Sequence, residues 1–183
     1  YVRGAIMEEK TLSSERIYDG RVISVRRDKV RLADGRETER EIVDHCPAVV
    51  ILAIDNKQQV CFVKQYRKAV EDILIELPAG CVDPGEDYLL AAQRELKEEC
   101  GCSAKKWTLL HSLYPTPGFC NEEYIFYLAE DISFGDQQLD EDEDVECFMW
   151  DFTTYKNAVS NHRIKDLKTV LGFYLLDRIV NGV

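Results

Sequence analysis

The chain has 183 residues, 45% apolar and 31% charged, and its 34 acidic against 23 basic side chains give a net charge of −11. That length buries roughly 70% of the unfolded surface, enough for a good core, while the acidic excess argues against nucleic acid as a partner, which needs clustered Lys and Arg. Neither an apolar run of about 20 residues nor a secretory leader is evident, so a soluble, cytoplasmic protein with no membrane partner is expected.

Residues 1–6 precede Met7 and are read as an expression remnant, outside the fold argument. Glu15 to Tyr18 and Arg21 to Leu32 read as strands, Asp34-Gly35 as a hairpin turn, and Arg40 to His45 as the returning strand. This ribbon carries many charges and few core residues, so it must pack on the remaining chain or on a second subunit. Ala48 to Asp55 and Val60 to Gln65 form a hairpin whose continuous apolar run implies burial on both faces. Ile73 to Leu77 is a further strand, leading into Pro78-Ala79-Gly80.

From Glu86 to Cys100 there is no proline or glycine, and Leu89, Ala92, Leu96 and Cys100 recur at the spacing of one helix face. Pro84-Gly85 supplies the turn before this helix and Gly101 the left-handed stop after it. Strands are expected over Trp107 to Leu113, Tyr124 to Ala129 and Val145 to Trp150, with an acidic loop from Phe134 to Asp144. A short helix covers Thr153 to Ser160, and a closing helix Lys165 to Ile179. The succession of strands, helix, strands and helices predicts a mixed sheet with helices on both faces.

At about 100° per residue, Glu95, Glu98 and Glu99 project within one wedge of the central helix, roughly 100° wide. Three carboxylates there repel one another unless a cation sits among them, and hard oxygens suit Mg²⁺ or Mn²⁺. The seven cysteines (46, 61, 81, 100, 102, 120, 147) lack the C-x2-C pairs of zinc sites and read as reduced, mostly buried thiols. The histidines at 45, 111 and 162 are isolated in sequence and read as structural or exposed.

Gly80 to Cys102 fits the pattern G-x5-E-x7-R-E-U-x-E-E-x-G-U, where U is bulky and apolar. At about 7% usage per fixed residue, its seven exact matches (Gly80, Glu86, Arg94, Glu95, Glu98, Glu99, Gly101) arise by chance on the order of once in 10⁸ starting positions. Cys102 replaces the usual aliphatic at the final U, and a buried thiol serves as a small hydrophobe.

The segment is identified as a Nudix box, and from about Glu9 to Gly182 the chain resembles the ADP-ribose pyrophosphatase branch of the Nudix hydrolases. Four features outside the box carry that resemblance: the opening ribbon, Val63-Lys64-Gln65-Tyr66-Arg67, Glu76-Leu77-Pro78-Ala79-Gly80, and Pro115 to Glu122, whose Pro117 lies sixteen residues beyond Gly101. The resemblance implies an α/β/α sandwich with a mixed sheet at 47–183, and a β ribbon at 7–46 that serves as the arm of a homodimer. Glu95, Glu98 and Glu99, with the backbone carbonyl near Ala79 or Gly80, would hold Mg²⁺ or Mn²⁺. Gly80, Glu86, Arg94 and Gly101 would be structural, with Glu86 and Arg94 bracing loop against helix. Arg40, Arg67, Pro117, Gly118 and Glu122 would bind substrate. In Asp140-Glu141-Asp142-Glu143-Asp144, Glu141 would be the general base and Glu143 a metal or positioning partner.

The implied reaction is hydrolysis of the ADP-ribose diphosphate to AMP and ribose 5-phosphate. The alternatives are a broader nucleoside diphosphate sugar hydrolase acting on GDP-mannose or UDP-glucose, and a non-catalytic ADP-ribose sensor. The intact trio of glutamates disfavours the sensor, because binding alone does not need a full metal cluster.

Overall fold

The computed structural model describes residues 8–139 and 144–182. The chain divides into two compact units, one formed by residues up to Cys46 together with Tyr114–Glu123, the other by Pro47–Leu113 and Tyr124 onward.

In the first unit, β1 (Lys10–Asp19), β2 (Ile23–Arg31) and β3 (Glu37–His45) form an antiparallel sheet in that order. Few of its side chains are buried, so cross-strand ion pairs do much of the ordering: Arg27 with Glu15 at 2.6 Å, Arg31 with Glu37 at 2.8 Å, Arg26 with Asp44 at 3.1 Å. Each exposed pair contributes little, roughly 0.2–1 kcal/mol, and the ladder needs them in series. Gly35 takes a positive φ of 88° in the β2–β3 turn, where a side chain would be strained. The 114–123 segment is tied to β3 by Val43 N–H donating to the Phe119 carbonyl (2.7 Å) and Asn121 N–H donating to the Val43 carbonyl (3.2 Å).

The second unit is built on a seven-stranded mixed sheet. It contains β4 (Ala48–Ile54), β5 (Gln59–Arg67), β6 (Asp72–Glu76), β7 (Ala79–Cys81), β9 (Lys106–Leu113), β10 (Tyr124–Glu130) and β12 (Val145–Asp151); the short β8 (Cys102–Ser103) and β11 (Ser133–Phe134) pair with each other. The order is β12-β5-β4-β10-β9, with β6 added to β5 and β7 to β4; only β4 and β10 run parallel. Every residue of β4 is buried, as its unbroken apolar run requires. Val49, Ile51 and Ala53 pack with Ala92 and Leu96 of helix α1 (Tyr88–Cys100). Val50, Leu52 and Ile54 face the other way, onto Tyr155 of α2 (Phe152–Ser160) and Phe173 and Leu176 of α3 (Leu167–Asn181). Period-two alternation on β4 thus builds both cores, giving an α/β/α sandwich with each fully buried large aliphatic worth about 1.5–3 kcal/mol.

Among the described residues all three helices begin on an aspartate: Asp87, Asp151 and Asp166 accept backbone N–H groups of the first turn. Among the described residues no helix is long and apolar enough to cross a membrane.

Candidate functional site

Helix α1 presents two kinds of side chain to the interior. Leu96 and Ala92 fill the core, and Glu95 and Glu99, four apart on the same face, are only 9% and 4% exposed. What lets carboxylates lie so deep is the backbone of β7 alongside. A Cβ on Gly80 would stand 2.1 Å from the Glu95 Cδ, so glycine alone leaves room for that carboxylate. One residue earlier, the Ala79 N–H donates to Glu99 Oε2 at 3.0 Å.

Arg94 organises the rest. Its Nε and Nη2 donate to the two oxygens of Glu86, both at 3.0 Å, and Nη2 also donates to the Cys81 carbonyl at 2.9 Å. Nη1 donates to Glu95 Oε1 (2.7 Å) and Glu98 Oε2 (3.0 Å). Glu86 also accepts the Asp83 N–H (3.0 Å), so one guanidinium ties the loop before α1 to the helix and to β7. The Arg94 hydrogen bonds hold the Glu86 carboxyl below the usual range, and Glu86 in turn raises Arg94.

Three carboxylates therefore surround a single guanidinium, with Glu99 one turn beyond Glu95. Hard oxygen donors in excess of the cations beside them, two of them nearly buried, are a donor set that fits a divalent ion such as Mg²⁺ or Mn²⁺.

Arg67, at the end of β5, is committed to an acidic partner to which the sequence assigned no pairing. Its Nε and Nη2 donate to the two oxygens of Glu76 at 2.7 and 2.8 Å, and the Lys168 ammonium binds the same carboxylate. Glu76 is 1% exposed. Burial alone would push its carboxyl up, but the hydrogen bonds from Arg67 and the charge of Lys168 outweigh it and hold the group at about 2. The signal was present in Glu76-Leu77-Pro78-Ala79-Gly80, but nothing local shows that residues nine and ninety-two positions away meet it.

In the first unit a cavity of about 470 Å³ is lined by Arg40, Pro117 and Gly118 together with Arg26, Tyr114 and Asn121. Arg40 donates to both oxygens of Glu9 at 3.0 and 2.5 Å. Glu122 is not among the lining residues; its carboxylate lies 3.7 Å from His45 Nδ1. Arg26, Tyr114 and Asn121 were not anticipated, since only the pairing of 114–123 with β3 brings them to one place. Gly101 caps α1 at φ 61°, donating to the Leu96 and Lys97 carbonyls. Glu141 and Glu143 lie outside the described residues.

Against known proteins, the profile of the NUDIX domain matches residues 44–168 and that of the nucleoside diphosphate sugar hydrolase N-terminal domain residues 9–43. The chain is 38% identical over 172 residues to an ADP-ribose pyrophosphatase of Bacillus subtilis (strain 168), covering 93% of each. It is also 38% identical over 175 residues to the methanol dehydrogenase activator of Bacillus methanolicus, covering 94% of this chain and 95% of that one. A crystal structure of an ADP compounds hydrolase superposes with a TM-score of 0.86 at 22% identity, over 98% of this chain and 97% of the other, which shows the shared fold. With the matched domain covering most of its length and the carboxylate-bearing helix in place, the chain belongs to the Nudix hydrolase family.

Proposed function

We propose that this hydrolase cleaves the diphosphate of ADP-ribose to AMP and ribose 5-phosphate, with Mg²⁺ held by Glu95, Glu98, Glu99 and the carbonyl near Ala79. The observation that carries the reading is the set of half-buried to buried glutamates of α1 packed against the β7 backbone, in a chain 38% identical over nearly its whole length to an ADP-ribose pyrophosphatase. When bound, the ion withdraws charge from phosphorus and lowers the pKa of a coordinated water.

The chain's own residues do the remaining work. Arg94 keeps Glu95 and Glu98 aimed at one spot, and Glu141 takes the proton of the attacking water as its oxygen joins one phosphorus and the bridging oxygen leaves on the other. Glu143 assists as a metal ligand or a positioning group. Arg40, Pro117, Gly118 and Glu122 contribute to substrate binding, and Arg67 places a positive charge for the diphosphate, its side chain 41% exposed while bonded to Glu76. A homodimer joined through the 7–46 arm accounts for the exposed Ile17, Tyr18 and Val22 of the ribbon. Among the described residues no disulfide joins the seven cysteines, which suits a reducing cytoplasm.

The match of residues 9–43 to the nucleoside diphosphate sugar hydrolase N-terminal domain supports a second, broader reading, with GDP-mannose or UDP-glucose as substrates. Incubation with Mg²⁺ and a panel of nucleoside diphosphate sugars separates the two. ADP-ribose is expected among the best substrates. Equal or faster turnover of GDP-mannose would favour the broader hydrolase, and no turnover of any compound would favour a sensor. Glu141→Gln should lower turnover by about 10²- to 10⁴-fold with little change in substrate affinity. Full activity of that variant would remove Glu141 from the mechanism, and a stronger loss in Glu143→Gln would move the base there.

A further inference from the structure

Three cysteines that are far apart in sequence converge inside the second unit. Cys61 lies on β5 and is fully buried, Cys100 is the last residue of α1 and is 5% exposed, and Cys147 lies half-buried on β12. The Cys61 and Cys147 sulfurs are 3.3 Å apart, and all three sulfurs lie within 4.8 Å of one another. They belong to the apolar core that also holds Val63, Leu96, Val145 and Met149, with the Glu99 carboxylate the charged group nearest Cys100 in sequence. A fourth thiol, Cys102, donates its S–H to the Cys100 carbonyl at 3.3 Å and also interacts with Cys61, but it does not lie within 4.8 Å of all three sulfurs.

Three sulfurs bonded to one cation at about 2.3 Å stand about 4 Å apart, so the cluster needs only small side-chain adjustments to close on an ion. The donor set decides which ion. Thiolates prefer soft d¹⁰ cations, whereas the Glu95, Glu98 and Glu99 carboxylates that precede Cys100 on α1 prefer hard ones, so the two centres do not compete for the same metal. Entry is through Cys147, because β12 is the edge strand of the sheet order and its thiol is the one partly open to solvent.

We propose that Cys61, Cys100 and Cys147 form a three-thiolate site for a single soft cation of the Cu⁺ or Cd²⁺ class. Each sulfur gives up its proton to solvent as its bond to the metal forms, so loading releases protons. Spacing in the sequence could not show this site, because its ligands come from two strands and a helix end rather than from a C-x2-C pair.

The test uses the full chain with Cys46, Cys81 and Cys120 replaced by serine, so that outlying thiols do not contribute, kept reduced with a phosphine. Titration with Cd²⁺ alone should show one equivalent bound, with a thiolate-to-cadmium charge-transfer band in the ultraviolet. Adding Cys147→Ser should weaken binding by at least about tenfold, the lower end of what even an indirect ligand partner costs, and diminish the band. Cys61→Ala should do the same, with circular dichroism showing whether this buried substitution leaves the fold intact. Cys102→Ser should leave affinity and band unchanged. Absence of the band in the parent, equal affinity in a folded Cys147→Ser protein, or a loss confined to Cys102→Ser would overturn the assignment.

Discussion

Gly80 and Glu99 are the residues on which the proposed metal centre turns, for opposite reasons. An alanine Cβ at position 80 would stand 2.1–2.2 Å from the Glu95 carboxylate. What must move is the far end of a flexible side chain, so Gly80→Ala should unfold at nearly the wild-type temperature yet lose metal affinity and most turnover. Thermal melts beside metal titrations check this, and a variant with normal metal affinity would show that Glu95 does not need its present place. Glu99→Gln keeps the shape but removes a charge, and should lower turnover by about 10²-fold or more, restored little by excess Mg²⁺. At this scale the sequence was legible wherever a motif fixed the spacing, as with the glutamates of α1. It was illegible where two long side chains meet across elements: Arg67 was expected at the diphosphate, and its tie to buried Glu76 depends on the β5–β6 register that puts both on one face.

Among the elements, periodicity located α1, α2, α3 and most strands to within a few residues, because apolar spacing is read directly by burial. The departures have local causes. Helix α1 begins at Tyr88 because Asp87 takes the cap position, accepting the N–H groups of Leu89 and Leu90. Pro78-Ala79-Gly80 leads straight into a three-residue strand, β7, held by pairing with Ala48–Val50, a tertiary contact with no signature of its own. β1 extends back to Lys10 because the backbone of Lys10, Thr11, Ser13 and Ser14 pairs with Arg31, Val30, Lys29 and Asp28 of β2. Glu76 joins β6 to β5 and α3 through Arg67 and Lys168, so Glu76→Ala leaves two cations without their buried partner and should cost about 3–5 kcal/mol in urea unfolding. The same carboxyl sits at about 2 in the fold against an ordinary 4.5. Its contribution is complete above about 4.5 and is lost as pH falls from there toward 2. Wild-type stability should therefore drop across that window, and Glu76→Gln should flatten the drop; an identical pH profile in the variant would assign the acid sensitivity to other groups.

For the whole molecule, the acidic balance and the sandwich architecture were readable from composition and from the succession of elements. The pairing of 114–123 with β3 was not, since a segment from the middle of the chain joins the N-terminal unit only through tertiary hydrogen bonds. The arm's exposed Ile17, Tyr18 and Val22 lead to a prediction about assembly: sedimentation should give twice the 21.1 kDa chain mass, and charged substitutions at these three positions should return it to one. A monomer at all concentrations would remove the arm from that role. The central claim, that the α1 carboxylates serve a divalent ion in splitting a diphosphate, is tested most directly by following ADP-ribose by ³¹P NMR in chelated protein before and after Mg²⁺ is added. The account predicts no reaction before addition and, after it, AMP and ribose 5-phosphate with one phosphate each. Undiminished hydrolysis under chelation, or a product in which adenosine keeps both phosphates, would contradict it.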